Sequence, residues 1–248
     1  MFHSDFVIEQ DALFVTDAHY NVKKDQTAFL DFLHALNEGK IAASQLVLLG
    51  DIFDMLFGGV PHTAVINKEL IGLLTSIAEK MEVFYFEGNH DFRLKKFFGS
   101  KLHIFPIKRQ PALFHCNNKR LCLAHGDFDA PFGYKVYTAL IRNPFILFFL
   151  NIYDSLSNHS VLRFVERHMS KKEECKKLEW FESFIQKRFE KGCACDYFVE
   201  GHFHQNKVLE LLDCCYINLG AFACNQRYFV VKFKEDQIVF EERYFTKG

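Results

Sequence analysis

The sequence predicts an α/β fold, and three observations support this prediction. Short apolar runs rich in Val, Ile and Phe alternate with longer segments whose apolar residues recur at helical spacing. Short polar motifs follow several of the apolar runs directly, as is typical where parallel strands end at a ligand-binding edge of a sheet. Strand-like runs return after residue 196. Together these patterns predict an α/β sandwich.

The first half of the chain has a repeated strand–helix order. Strands are predicted at residues 12–16, 45–49 and 83–86, and amphipathic helices at residues 25–36 and 68–80. Because crossover connections within one sheet are right-handed, this order implies parallel pairing of the three strands.

The second half begins with a predicted hairpin and continues with a long helical stretch. Asn117-Asn118 separates two strand-like runs within residues 105–124, and residues 132–191 read as almost entirely helical. Further strands are predicted at 197–199, 208–212, 215–219, 228–233 and 238–244. Since no repeat or linker interrupts the chain, residues 1–248 are interpreted as one domain with a helical insertion at about 130–192.

The composition favours a globular protein of the reducing cytoplasm. Hydrophobic residues make up 49% of the 248 residues, and the net charge of -1 gives no field that would attract nucleic acid. The eight cysteines have no disulfide-framework or zinc-site spacing, so reduced thiols are expected. The start of the sequence lacks a signal-peptide pattern, and the apolar run 144–153 is too short to span a bilayer.

Five polar motifs carry the chemistry, and all follow predicted strands. Their side chains are carboxylates, imidazoles and an amide, a ligand set that suits divalent ions such as Mn, Fe or Zn. Two ions about 3.5–4 Å apart share an anionic ligand, and an Asp at a strand end can provide it. The motif residues are Asp17 and His19, Asp51 and Asp54, Asn89, His90 and Asp91, His125, and His202 and His204.

The spacing within the motifs supports the same interpretation. Residues 17 and 19, like residues 202 and 204, are two apart, which on an extended strand end places both side chains on one side. Glycines 50, 88, 126 and 201 adjoin the motifs and permit tight turns close to the ions. A single motif would more often be a turn or a helix cap, whereas the ordered set indicates a metal site.

The ordered motifs resemble those of the calcineurin-like metallophosphoesterase superfamily, whose pattern is DxH, GDxxD, GNH(D/E), a His before Gly, and GHxH. The resemblance implies a four-layer αββα sandwich and two divalent metal ions, manganese first, with iron, zinc or magnesium as alternatives. It implies that Asp51 bridges the ions and that His90 faces the phosphoryl group, with Asn89 beside it. The implied ligands are Asp17, His19, Asp51 and His204 for one ion, and Asp51, Asn89, His125 and His202 for the other.

Within that superfamily the chain resembles the UDP-2,3-diacylglucosamine hydrolases of bacterial lipid A synthesis. Shared features are Gly133-Tyr134 followed by Arg142, a helical insertion before GHxH, and the turn Leu219-Gly220-Ala221-Phe222. This resemblance implies hydrolysis of the substrate pyrophosphate to 2,3-diacylglucosamine 1-phosphate and UMP by metal-activated water. It places substrate contacts near Tyr134, Arg167, Ser170 and Lys171.

The helical insertion has an apolar first half and a basic second half. A cap with an apolar groove and a basic rim would suit acyl chains joined to a pyrophosphate, and it would suit peripheral docking on the anionic inner face of the cytoplasmic membrane. The alternative is that the aromatic run 144–153 is simply the buried face of a helix pair and that the charged run is solvated. No nucleic-acid partner and no obligate protein partner are expected.

Two other functions stay open at this point. His90 stands where the UDP-2,3-diacylglucosamine hydrolases usually have Arg, which favours a different metallophosphoesterase, for example a nucleotide or cyclic-nucleotide phosphodiesterase. A metal-free scaffold of the same fold is the remote alternative, since such scaffolds typically lack ligands that are all present in this sequence.

Overall fold

The structure is a computed structural model that describes residues 2–22, 27–129, 132–169 and 175–246. The strands of the first half are β1 (Phe2–Val7), β2 (Leu13–Val15), β3 (Gln45–Leu48), β4 (Leu56–Phe57), β5 (Glu82–Phe86), β6 (Asp91–Phe92) and β7 (His103–Phe105). Those of the second half are β8 (Ala112–Cys116), β9 (Lys119–Ala124), β10 (Tyr197–Glu200), β11 (Lys207–Glu210), β12 (Cys215–Asn218), β13 (Arg227–Lys234) and β14 (Gln237–Tyr244). The helices are α1 (Thr27–Asn37), α2 (Pro61–Ile66), α3 (Lys68–Ala78), α4 (Lys95–Phe98), α5 (Phe132–Ile141), α6 (Pro144–Leu156), α7 (Ser160–Met169), α8 (Phe181–Arg188) and α9 (Phe222–Asn225).

Twelve of the described strands form two six-stranded sheets, and β4 and β6 pair in a separate two-stranded sheet. The first has the order β14-β13-β2-β3-β5-β7, and its strands β2, β3, β5 and β7 pair in parallel. The second has the order β1-β8-β9-β10-β12-β11, in which β9, β10 and β12 are parallel. The predicted parallel order of the first half is therefore confirmed, and motif-bearing strands occur in both sheets.

Three apolar clusters hold the layers together. Alternate residues of the first sheet face α1 and α3 on one side, with Phe32 and Leu74 buried there. The opposite side of that sheet packs against the second sheet through residues such as Phe84 and Phe114. The outer face of the second sheet packs against α8 through Phe181 and neighbouring side chains. The molecule is thus a four-layer αββα sandwich, as predicted.

Local structure agrees with the sequence at some positions and differs at others. The hairpin around Asn117-Asn118 joins β8 to β9, and both asparagines have positive φ, which suits a tight two-residue turn. The sequence reading missed β1 and α2. It also expected reduced thiols, which is wrong for Cys175 and Cys224: their Cα atoms lie 5.6 Å apart and the two residues form a disulfide.

Helices α5 to α8 lie between β9 and β10 in the chain. The interpretation of this stretch as an insertion into a single domain stays a prediction. Within the described ranges, no helix combines the length and the apolar character needed to cross a membrane.

Candidate metal centre

The carboxyl ends of parallel strands from both sheets meet at one edge of the sandwich. Asp17 follows β2 and Asp51 follows β3 in the first sheet, whereas His125 follows β9 and His202 follows β10 in the second. Two hydrogen bonds tie the edges together across the sheets. The Nδ1 atom of His125 lies 2.7 Å from the Leu49 carbonyl oxygen, and the His202 amide donates to Oδ2 of Asp17 at 2.9 Å.

One group of ligand atoms consists of Asp17, His19 and His204. One atom from each side chain lies within 4.8 Å of the other two, as a single ion would require. The His204 Nε2 atom is 3.0 Å from Oδ1 of Asp17, and the His19 Nε2 atom is 3.9 Å from the same oxygen. These are three of the four residues expected at the first ion.

A second group consists of Asp51, His125 and His202, again with all three ligand atoms within 4.8 Å of one another. Nδ1 of His125 is engaged by the Leu49 carbonyl, so this nitrogen carries the proton and Nε2 is left as the ligand atom. Oδ1 of Asn89, the fourth residue expected at this ion, is buried and has no hydrogen-bond donor in the described part of the chain.

Asp51 lies between the groups. It belongs to the second group and also to a third, with His19 and His90, so it reaches ligand atoms on both sides. The bridging role expected of Asp51 stays a prediction. Two contacts orient the imidazole ring of His90. Its Nδ1 atom lies 3.1 Å from the Asp54 carbonyl oxygen, and its Nε2 atom lies 3.9 Å from Oδ2 of Asp51.

The backbone of the motifs is not extended, contrary to the prediction from residue spacing. Strand β2 ends at Val15, and Asp17, His19, His202 and His204 all have φ between 46° and 62°. Such left-handed conformations are unfavourable for residues other than Gly and concentrate at functional sites. The spacing of two residues therefore brings both side chains to the site through tight turns rather than through a strand.

A glycine is required at position 88 because the backbone there lies very close to Asp51. A Cβ atom on Gly88 would lie 2.1 Å from Oδ1 of Asp51 and 2.6 Å from its amide nitrogen. Any larger residue at this position would displace the carboxylate of Asp51.

Asp91 acts on the site by holding the loop that carries Asp51. Its buried carboxylate accepts hydrogen bonds from the backbone amides of Asp51, Ile52 and Gly88, and from the Tyr85 hydroxyl at 2.6 Å. The sequence left the role of this residue open. The contacts indicate that it positions the loop rather than the ions.

Asp17 and Asp51 favour their ionised forms, whereas burial and the charge of Asp51 raise the pKa of Asp91 to about 7. Burial raises the pKa of Asp51, but the nearby imidazoles of His125 and His90 outweigh it, so its pKa lies well below the usual value. For Asp17, burial is likewise outweighed by attraction to His204, and the pKa is lowered. Burial and repulsion from His125 lower the pKa of His202 to about 4, which keeps its imidazole neutral and able to bind a metal.

These observations fit two divalent cations. Anionic carboxylate oxygens, neutral imidazole and an amide oxygen without a donor are the surroundings that hold ions such as Mn²⁺, Fe²⁺ or Zn²⁺. The assignment of individual ligands stays a prediction.

Two contacts that the sequence motifs did not predict join the helical segment α5 to α8 to this edge. Arg142, after α5, donates to the Gly88 carbonyl at 2.8 Å and pairs with Asp127 at 3.2 Å. The basic second half of the insertion, predicted to form a rim, includes Arg188 on α8, and for this residue the prediction is wrong because its side chain is buried. It makes a bidentate ion pair with the fully buried Glu200, at 2.8 and 3.1 Å.

Of the predicted substrate contacts, Tyr134 and Arg167 belong to helices between β9 and β10. Arg167 is an exposed residue of α7. Tyr134 belongs to α5, although its side chain lies outside the described set, as do Ser170 and Lys171. Their role stays a prediction.

Comparisons with known proteins agree with this geometry. Residues 12–206 match the calcineurin-like phosphoesterase family. A UDP-2,3-diacylglucosamine hydrolase from Photorhabdus laumondii is 25% identical over 80% of this chain and 84% of its own length. A protein of the same name from Pseudomonas fluorescens is 27% identical over 61% of each chain.

The family match spans most of the chain and includes all five motifs. The chain therefore belongs to the calcineurin-like phosphoesterase family, and it is a metal-dependent hydrolase of phosphoester bonds.

Proposed function

We propose that the protein hydrolyses the pyrophosphate of UDP-2,3-diacylglucosamine, releasing 2,3-diacylglucosamine 1-phosphate and UMP. The observation that carries this proposal is the exposed apolar surface of α5 to α7. This segment contacts residues beside the site through Leu147 with Phe92 and Arg142 with Gly88, and the relatives of the chain include proteins named UDP-2,3-diacylglucosamine hydrolase. A substrate with two acyl chains needs such a surface, whereas a free nucleotide does not.

At the site, two divalent ions, with Mn²⁺ our first choice, would lower the pKa of water and neutralise charge on the phosphate oxygens. The residues of the chain position the reaction. His90 is oriented through its Nδ1 contact to the Asp54 carbonyl, so Nε2 is the atom that would face the phosphoryl group. Asn89 would hold the second ion through its buried amide oxygen.

The apolar surface lies mainly on α6. Phe145 is 75% exposed and Phe149, one helical turn later, is 65% exposed, so the two rings lie on one face. Leu147 is buried against Phe92 and Val60 on the other face of the helix. Burial of the whole aromatic run, the alternative reading of the sequence, is therefore wrong for this face.

The helical segment also carries exposed lysines and arginines. Arg163 and Arg167 on α7 and Lys176 and Lys177 beyond it are exposed. Exposed aromatic and exposed cationic side chains on one helical segment favour a peripheral position on an anionic membrane surface, which we propose as the location of the protein on the cytoplasmic side.

The experiment compares two substrates with purified protein and Mn²⁺. We expect turnover of UDP-2,3-diacylglucosamine to exceed turnover of a soluble bis-aryl phosphodiester, with UMP as the released nucleotide. Turnover of the aryl ester with no attack on the lipid would overturn the substrate while leaving the phosphoesterase activity intact.

A second candidate, a nucleotide or cyclic-nucleotide phosphodiesterase, is favoured by His90 alone. Its ring faces the ligand groups, as the general superfamily pattern requires. Cleavage of cyclic nucleotides at a higher kcat/KM than the lipid would favour this candidate. Detergent-free vesicle sedimentation would add a separate check, since a soluble phosphodiesterase has no reason to bind anionic vesicles.

A further inference from the structure

Four cysteines form a cluster on the far side of the second sheet, away from the metal centre. Cys122 lies on β9, Cys193 and Cys195 precede β10, and Cys214 precedes β12. The Sγ atoms of Cys193 and Cys195 are 3.3 Å apart. Cys193 also contacts the thiol of Cys214, and Cys195 contacts that of Cys122.

The cluster is a chain of pairwise contacts and not a cage for one ion. Groups of three metal-binding atoms that lie within 4.8 Å of one another occur, among the described residues, at the phosphoesterase site and do not include these thiols. A zinc ion would require three or four thiolates around a common centre. The arrangement instead suits the formation of a bond between two sulfur atoms.

Accessibility distinguishes the members of this thiol cluster. Cys193 is partly exposed, whereas Cys195 is fully buried and Cys122 and Cys214 are buried. A partly exposed thiol next to a buried one is the arrangement of a reactive cysteine and its resolving partner.

We propose that Cys193 is a peroxide-sensitive thiol and that Cys195 resolves its oxidised form into an intramolecular disulfide. In the first step the Cys193 thiolate attacks hydrogen peroxide, an S–O bond forms, the O–O bond breaks and hydroxide leaves. The sulfur is oxidised to a sulfenic acid and the peroxide is reduced. In the second step the Cys195 sulfur attacks the sulfenic sulfur, the S–S bond forms and water leaves with the thiol proton.

Electrostatics of the cluster agree with this assignment. Hydrogen bonds from the thiols of Cys195 and Cys214 lower the pKa of Cys193 to about 3. Cys215 is also partly exposed, but burial and the charge of Glu210 raise its pKa to about 12. The two cysteines therefore form a matched pair of similar exposure and opposite reactivity.

Peptide mapping of the wild-type protein after treatment with hydrogen peroxide tests the disulfide. Trypsin cleaves after Lys191 and Lys207, so Cys193 and Cys195 share one peptide, whereas Cys214 lies in the next. We expect the peptide 192–207 to become lighter by two hydrogens and to resist alkylation. A cross-link from this peptide to peptide 208–227, or continued alkylation of Cys193, would overturn the proposal.

A variant and a rate measurement complete the test. In Cys195→Ala we expect dimedone to trap a sulfenic acid at Cys193, whereas Cys215→Ala should form the disulfide like the wild type. Turnover of the bis-aryl phosphodiester verifies that each variant is folded. In wild-type protein at pH 6, iodoacetamide should modify Cys193 about 10²-fold faster than Cys215, after allowance for the weaker nucleophilicity of a low-pKa thiolate. Equal rates would contradict the proposal without the need for any variant.

Discussion

The edge of the sandwich that carries the metal motifs differs from the helical segment α5 to α8 in how far its side chains are covered by the rest of the chain. At the edge, Asp17, Asp51 and His125 are buried and fixed by neighbours, although tight turns hold Asp17 and Asp51 in unfavourable backbone conformations. On the helical segment, Phe145 and Phe149 are exposed to solvent. The edge is thus preorganised by contacts within the chain, whereas contacts within the chain leave these two rings of the helical face uncovered.

The largest effect should follow from removal of the shared carboxylate. Asp51→Ala takes one ligand from each of two groups, so we expect kcat for the bis-aryl phosphodiester to fall by about 10³-fold or more. Asp236→Ala, which removes an exposed carboxylate from the turn between β13 and β14, is the matched control and should retain full activity. Substantial turnover by the Asp51 variant would show that the ligand assignment is wrong.

Stability should depend on the ion pair that anchors α8. Arg188→Met leaves Glu200 buried without its cation, and we expect the free energy of unfolding to drop by about 3–5 kcal/mol. Lys187→Met changes an exposed neighbour on the same helix and should alter stability by less than about 0.5 kcal/mol. Urea titrations measure both. Similar midpoints for the two variants would mean that the pair does not fasten the helix to the sheet.

Loosening the loop that carries Asp51 should have an intermediate effect on activity. Asp91→Asn keeps the shape of the side chain but weakens its hydrogen bonds with the amides of residues 51 and 52. Because groups that orient a ligand typically contribute 10–100-fold to activity or metal affinity, we expect a loss of about that size. Excess Mn²⁺ should restore part of the activity if Asp91 acts through the ions. An unchanged kcat/KM would contradict the positioning role.

The smallest effect should be confined to one substrate. The double variant Phe145→Asp and Phe149→Asp should lower kcat/KM for the diacylated substrate by about 10-fold or more, because each ring lost from an apolar contact costs about 1 kcal/mol or more. Turnover of the soluble aryl ester should stay at the wild-type level. Leu212→Asp, at a 94% exposed position in the turn before β12, controls for added negative charge. Equal losses of kcat/KM for both substrates would contradict a specific role of the exposed α6 face in binding the acyl chains.

The two regions also differ in how far the sequence predicts them. The strands that precede Asp17, Asp51 and Asn89 were predicted within one or two residues because apolar runs and motifs reinforce each other. The backbone that presents Asp17 and His19 was predicted incorrectly, since a spacing of two residues does not distinguish a strand end from a tight turn.

Contacts between segments that are far apart in the sequence could not be predicted from local sequence patterns. The pairing of Arg188 with Glu200 depends on how α8 packs on the second sheet, and a basic helix face gives no sign of it. The contacts between Cys193 and Cys214 arise for the same reason, because β10 and β12 become neighbours only in the folded sheet.

Metal stoichiometry tests the central claim most directly. After loading with Mn²⁺ and removal of free ion, elemental analysis of the wild-type protein should give two ions per chain, because the strand ends assemble one ligand group from Asp17, His19 and His204 and another from Asp51, His125 and His202. Fewer than one ion per chain would contradict the account.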